Sequence, residues 1–158
     1  MASKTIIAAS VCVIGGLAYM TYRKTLPRGV RNNNPLNIRE SKGDRTQWDG
    51  EHLLDLDKSF EEFKHPTYGF RAGARILRSY SRQGFRTLSE MINRFAPSIE
   101  NDTELYIKHV SEWTGIVRNQ VVDVNNNEQL ATLLHAMSRK EVGNYYGLSM
   151  AREGVAMA

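Results

Sequence analysis

From Pro66 onward, apolar residues recur every three or four positions, and this periodicity constrains the fold more than any other feature of the chain. Phe70, Ala74, Leu77 and Tyr80 make one stripe, with Arg71, Arg75, Arg78 and Arg82 elsewhere on the surface of the same helix. Thr87 and Glu90 have the spacing of a capping box ahead of Leu88, Met91, Ile92 and Phe95, and that short helix must stop before Pro97. Asn101 and Glu104 repeat the spacing ahead of Leu105, Tyr106, Val110 and Trp113, with Gly115 placed to end the segment. Val121 to Val124 read as an extended link. After Asn125-Asn126-Asn127 another helix carries Leu130, Leu133, Leu134 and Met137 inward, ends at Val142-Gly143-Asn144, and is followed by a short closing helix from Met150 to Met157.

Before Pro66 the pattern is different. Asn32-Asn33-Asn34-Pro35-Leu36-Asn37-Ile38-Arg39 is an Asn-rich turn running into a short extended piece. Ser41-Lys42-Gly43-Asp44 reads as a turn, Thr46-Gln47-Trp48 as a second extended piece closed by Asp49-Gly50, and Ser59 to Phe63 as a third strand. The predicted class is therefore mainly α with a small β-hairpin, an α+β domain.

Thr5 to Tyr22 contain no charge, and 18 such residues in a helix reach about 27 Å, close to the thickness of a bilayer's hydrocarbon layer. The predicted organisation is a membrane-spanning helix over 1–24, a basic linker over 25–31 and a folded domain over 32–158. A cleaved signal peptide, with Gly16-Leu17-Ala18 as its small-residue site, and a buried core helix are the alternatives. Arg23, Lys24, Arg28 and Arg31 follow the span, which by the positive-inside rule would hold the following domain in a cytoplasm.

At 158 residues, 41% hydrophobic and 24% charged, the chain has room for one core. The single cysteine, Cys12, cannot close an internal disulfide, and with four scattered histidines there is no ligand set for a structural metal; no metal or cofactor is expected. A net charge of +4 is too small for the basic stripe of a nucleic-acid binder, so nucleic acid is not expected as a partner.

Glu141 is the first candidate for chemistry. It continues the apolar face of its helix by four residues from Met137 and sits at the helix carboxyl terminus, and desolvation and the helix dipole both favour its protonated form. A carboxyl kept protonated near neutral pH is what a general acid needs to protonate a glycosidic oxygen. The bland alternative is a frayed last turn in which Glu141 pairs with Arg139 or Lys140. Asn32, Asn33, Asn34 and Asn37 can hold tight turns or hydrogen-bond the hydroxyl and N-acetyl groups of a sugar chain. Glu51, Asp55, Asp57, Glu61 and Glu62 supply further carboxylates, any of which could act as a second catalytic group.

Taken in order, residues 28–39 (RGVRNNNPLNIR), Trp48-Asp49-Gly50, Phe60 to Phe63, Gly69-Phe70-Arg71-Ala72, Arg94-Phe95-Ala96-Pro97 and Glu100-Asn101-Asp102-Thr103 resemble a family of bacteriophage virion-associated murein-degrading proteins. The resemblance covers about residues 28 to 150. It implies a lysozyme-like, lytic-transglycosylase-like domain whose closing helix ends in Glu-x-Gly, here Glu141-Val142-Gly143, although relatives typically carry a polar residue where Val142 stands. Because the Asn-rich segment precedes the Glu helix, a circularly permuted arrangement is expected, bringing Glu141 beside residues 34–39.

The implied activity is cleavage of peptidoglycan between N-acetylmuramic acid and N-acetylglucosamine, as a lytic transglycosylase or a lysozyme. Glu141 would be the catalytic acid, and Asn34, Asn37, Arg39 and Trp48 would contact the substrate. The implied partners are glycan strands, the lipid membrane of virion or host and other virion proteins. The implied setting is a single-pass protein of the virion membrane acting in the host envelope during entry or lysis. The alternative is a structural virion membrane protein that binds peptidoglycan without cutting it.

Overall fold

The structure is a computed structural model that describes residues 21–40, 43, 46–54, 56–98 and 102–158. Residues 21–25 are helical, and the named helices that follow are α1 (Arg28–Arg31), α2 (Pro66–Arg82), α3 (Leu88–Phe95), α4 (Thr103–Thr114), α5 (Asn127–Val142) and α6 (Leu148–Ala156). Local chemistry sets most of their ends. Pro66 opens α2 at its first turn, behind His65, whose ring accepts from the Thr67 N–H. Thr87 and Glu90 make both bonds of the capping box on α3. The Asn126 side chain takes the N–H groups of Glu128 and Gln129 at the start of α5, and Gly115, at φ 74°, supplies the left-handed residue that ends α4. The cap of α4 is Asp102, which accepts from the Leu105 N–H at 3.0 Å. The predicted cap, Asn101, lies outside the described residues.

The core gathers on α5. Leu130, Leu133, Leu134 and Met137 are completely buried, together with Phe70, Ala74 and Leu77 of α2 and Leu88, Met91 and Ile92 of α3. Burial of each Leu-sized side chain contributes about 1.5–3 kcal/mol. The closing helix α6 packs on both α2 and α5. It reaches α2 closely because Gly154 lies where a Cβ would stand 2.6 Å from the Thr67 carbonyl oxygen.

Two expectations need correction. The predicted β-hairpin does not form: among the described residues there is no strand, only isolated antiparallel bridges joining Arg39 to Phe60, Glu51 to Phe63 and Thr87 to Val121. The segment at 59–64 is shared between two partners, with Glu61 N–H donating to Ile38 at 3.0 Å and His52 N–H to Glu62 at 2.7 Å, so neither pairing extends into a ladder. Asn34 takes over what a ladder would have used. Its amide donates to the carbonyls of Ile38 (2.8 Å) and Glu61 (2.9 Å), and its oxygen accepts the Ile38 N–H at 2.9 Å. The expected α+β, lysozyme-like class thus gives way to an all-helical arrangement tied by irregular chain.

The second correction concerns the membrane. Among the described residues no helix is long and apolar enough to cross a bilayer. The longest, α2, has 17 residues and includes four arginines. This overturns the expected single-pass virion-membrane location. Of the expected 1–24 span, residues 1–20 lie outside the described residues, and 21–24 are exposed. Part of the expected linker is also structured: Arg28–Arg31 form α1, which buries Gly29 against α5.

Candidate active site

The site is built where α1, the Asn-rich segment and the end of α5 meet. Gly143 closes α5 at φ 83° and ψ −166°, a backbone region essentially reserved for glycine. That accounts for the Gly of Glu-x-Gly: the chain must turn sharply one residue after Val142. Val142 is buried, and its Cγ1 would lie 2.7 Å from a Cβ on Gly29. An apolar side chain between Glu and Gly is therefore what the packing of α1 on α5 requires here.

Glu141, one residue earlier, is half-buried and forms part of the wall of a groove of about 950 Å³. Asn37 reaches it from the other side. At φ 47° Asn37 adopts the left-handed conformation that Asn tolerates better than most residues, and its amide donates to Glu141 Oε2 at 3.0 Å and to the Glu141 carbonyl at 3.3 Å. The buried Tyr106 of α4 points its hydroxyl at the end of α5, where it donates to the Met137 carbonyl at 3.5 Å and lies close enough to Glu141 to favour its ionised form. Burial raises the Glu141 pKa above the ordinary carboxylate value. Hydrogen bonds from Asn37 and Tyr106 and the charges of Lys140 and Arg39 partly counter it. Tyr106 itself is held well above its usual range by burial and by the neighbouring Glu141.

The predicted contact residues separate. Asn37, Arg39 and Trp48 line the groove with Glu141. Arg39 is exposed, with its guanidinium 5.4 Å from the centre of the Phe60 ring. Trp48 is partly buried, and its backbone N–H donates to Glu51 Oε1 at 2.7 Å. Asn34 is completely buried and its polar atoms bond the backbone of residues 38 and 61, so it holds the segment in place and does not face the groove. Asn33, at φ 51°, ties its amide to the carbonyls of Phe63 and Lys64.

Of the other carboxylates, Glu61 lines the groove. Asp57 instead pairs with Arg28, accepts from Asn32 at 2.8 Å and from the N–H groups of Ser59 and Phe60, and so has its pKa well below the usual carboxylate range. Glu62 accepts the N–H groups of Leu56 and Asp57. Asp55 lies outside the described residues. Among the described residues no cluster of His, Cys, Asp and Glu could hold a metal ion.

No known family's profile matches the chain. Over 137 residues it is 47% identical to Protein P5 of Pseudoalteromonas phage PM2, a match that covers 86% of this chain and 84% of that protein. The chain belongs to the Protein P5 family. Its kinship is thus with a bacteriophage protein, as the sequence motifs imply. The name Protein P5 states no activity, so the chemistry of this P5-family chain has to be argued from the groove.

Sequence reasoning missed one member of the site in this P5-family protein. Tyr106 reads as one more apolar position of α4, yet a tyrosine where Phe or Leu would fill the same space needs a partner for its hydroxyl. Here the hydroxyl donates to the Met137 carbonyl at 3.5 Å and lies beside Glu141. The rim was missed too: Arg71, Arg75 and Arg82 of α2 all line the groove, although their spacing alone looks like an ordinary solvated face.

Proposed function

We propose that this protein cleaves the glycan strands of peptidoglycan between N-acetylmuramic acid and N-acetylglucosamine, with Glu141 as the proton donor. The observation that carries the reading is a partly buried carboxyl of raised pKa in the wall of a groove at the upper end of ligand-pocket volumes, about 950 Å³. Burial favours the protonated form of Glu141, the form that can pass a proton to a glycosidic oxygen. The carboxylate left behind then accepts hydrogen bonds from Asn37 and Tyr106 and feels the charges of Arg39 and Lys140. These groups favour the ionised form and so act on the state that develops as the proton leaves. In a transglycosylase the same carboxylate returns as base to the sugar's own 6-hydroxyl. A hydrolase would need a second groove carboxylate to activate water, and Asp49 and Glu61 line the groove with Glu141.

The test is mass spectrometry of the fragments released from purified peptidoglycan by the full chain and by Glu141→Gln. The expected result is anhydro-muramic ends, or reducing ends for a hydrolase, with a rate roughly 10² to 10⁴ lower in a folded Glu141→Gln protein. Equal release by both proteins removes Glu141 from the role. Retention on peptidoglycan with no fragments released would favour a binding protein without glycosidase activity.

A further inference from the structure

The groove holds more positive charge than a neutral sugar chain calls for. Besides Glu141 its ionisable lining comprises Arg39, Arg71, Arg75 and Arg82 against Asp49 and Glu61, four guanidiniums facing two carboxylates. Arg71 is paired with Asp49 and also donates to the Met157 carbonyl at 2.8 Å. Arg75 and Arg82 are exposed on the groove edge of α2 and have no hydrogen-bond or ion-pair partner among the described residues. Their neighbour Arg78, on the same helix, is fully engaged, donating to the Val124 and Ala158 carbonyls and to Asn127. The helix thus uses Arg71 and Arg78 to fix the carboxyl-terminal tail and leaves Arg75 and Arg82, about 10 Å apart along its axis, facing the groove.

We propose that Arg75 and Arg82 bind the free carboxylates of the peptide stems attached to the muramic acid residues, so that the groove selects stem-bearing glycan over bare glycan. This rests on the peptidoglycan reading above and specifies its substrate. Planar guanidiniums pair with carboxylates through two parallel N–H···O bonds, a geometry that hydroxyl and N-acetyl groups do not offer. Ile76 and Tyr80 of the same helix also line the groove, giving the strand an apolar surface beside the charged edge.

The experiment measures co-sedimentation of the full chain with intact sacculi and with sacculi whose free stem carboxylates have been converted to amides by a water-soluble carbodiimide and excess ammonia, for the native protein and for Arg75→Ala/Arg82→Ala. Thermal melts verify that the variant is folded. The expected result is tighter binding of native protein to intact sacculi, and loss of about tenfold of that preference in the double variant, a few-fold for each partly exposed pair. Arg75→Lys/Arg82→Lys, which keeps the charge and removes the fork, should recover only part of it. Equal binding to intact and amidated sacculi overturns the proposal even if both are cleaved. Duplex DNA displacing the protein from sacculi through the same two arginines, with a steep salt dependence, also overturns it in favour of a phosphate ligand. Failure to cleave either material refutes the glycosidase reading alone, because the stem preference is read from binding.

Discussion

Gly29 gives the sharpest test of how the candidate acid is held. A Cβ at this position would stand 2.6 Å from the Asn34 carbonyl oxygen, 2.7 Å from Val142 Cγ1 and well inside contact distance of Asn37 Oδ1. Gly29→Ala therefore has two routes of relief. Asn37 can swing away and give up its bond to Glu141, at about 1.5–3 kcal/mol for a hydrogen bond to a charged group. The contact with the Asn34 backbone remains and forces α1 outward, an overpacking strain of about 1–3 kcal/mol. Opposing both is the gain of up to about 1 kcal/mol from removing a helical glycine. The balance is a net loss of roughly 1.5–5 kcal/mol, and at roughly 2–4 °C per kcal/mol for a chain of this size the melting temperature should fall by roughly 3–20 °C. Thermal unfolding followed by circular dichroism reads this directly. In protein still folded at the assay temperature, fragment release from peptidoglycan should fall as well, because Asn37 no longer orients Glu141. An alanine variant that melts at or above the native temperature would show that α1 does not press on Asn37 and Val142, and would refute the account of how the site is positioned.

Glu141→Gln should stabilise the protein, and only away from acid. The folded-state pKa of Glu141 is raised above its ordinary 4.5, so its contribution is complete below that value and is lost as pH rises through the folded pKa. Thermal melts of native and variant should therefore agree near pH 4 and separate, variant higher, toward pH 7; a constant difference across that range refutes the burial argument. Asp57 works in the opposite sense. Its lowered pKa gives stability present above the ordinary 3.8 and lost as pH falls. Asp57→Ala should cost about 1–3 kcal/mol at pH 7 by stripping an acceptor from Asn32 and two backbone N–H groups, with the gap to native narrowing in acid. Tyr106→Phe removes a donor that favours the ionised Glu141, so the Glu141 limb of the pH–rate profile should move to higher pH while the fold persists; an unmoved limb would show that the hydroxyl does not act on the carboxylate.

Where structure comes from local pattern, the sequence was a good guide. The stripe at Phe70, Ala74 and Leu77, the Thr87/Glu90 box and the run from Leu130 to Met137 all lie on helices, because burial of one face and satisfaction of a helix start are properties of neighbouring residues. The segment at 32–64 has no such autonomy. Its backbone groups find partners about 10 to 30 residues away, through one-residue bridges and through the amides of Asn33 and Asn34. The short pieces between its turns read as strands because turn residues mark where a strand could begin and end, whereas a strand also needs a continuous partner.

The Asn-rich stretch shows why residue type and spacing could find the candidate site without assigning its roles. Asn34 and Asn37 are three residues apart, equally polar and equally suited to a sugar hydroxyl. What separates them is the backbone: Asn34 is buried where two carbonyls need a donor, and Asn37 has a positive φ that turns its amide toward α5. The bond from Asn37 to Glu141 then spans 104 residues of sequence, and no local pattern encodes it. The same holds for the arginines of α2. Arg78 and Arg82 are four residues apart and read alike, but the carboxyl-terminal residues fold back over one and leave the other facing the groove. A carboxyl at the end of an apolar stripe announces that it will be desolvated; whether it becomes an acid depends on which donors the rest of the chain delivers. Here they arrive from α4 and the Asn-rich segment, two parts of the sequence with no periodicity in common.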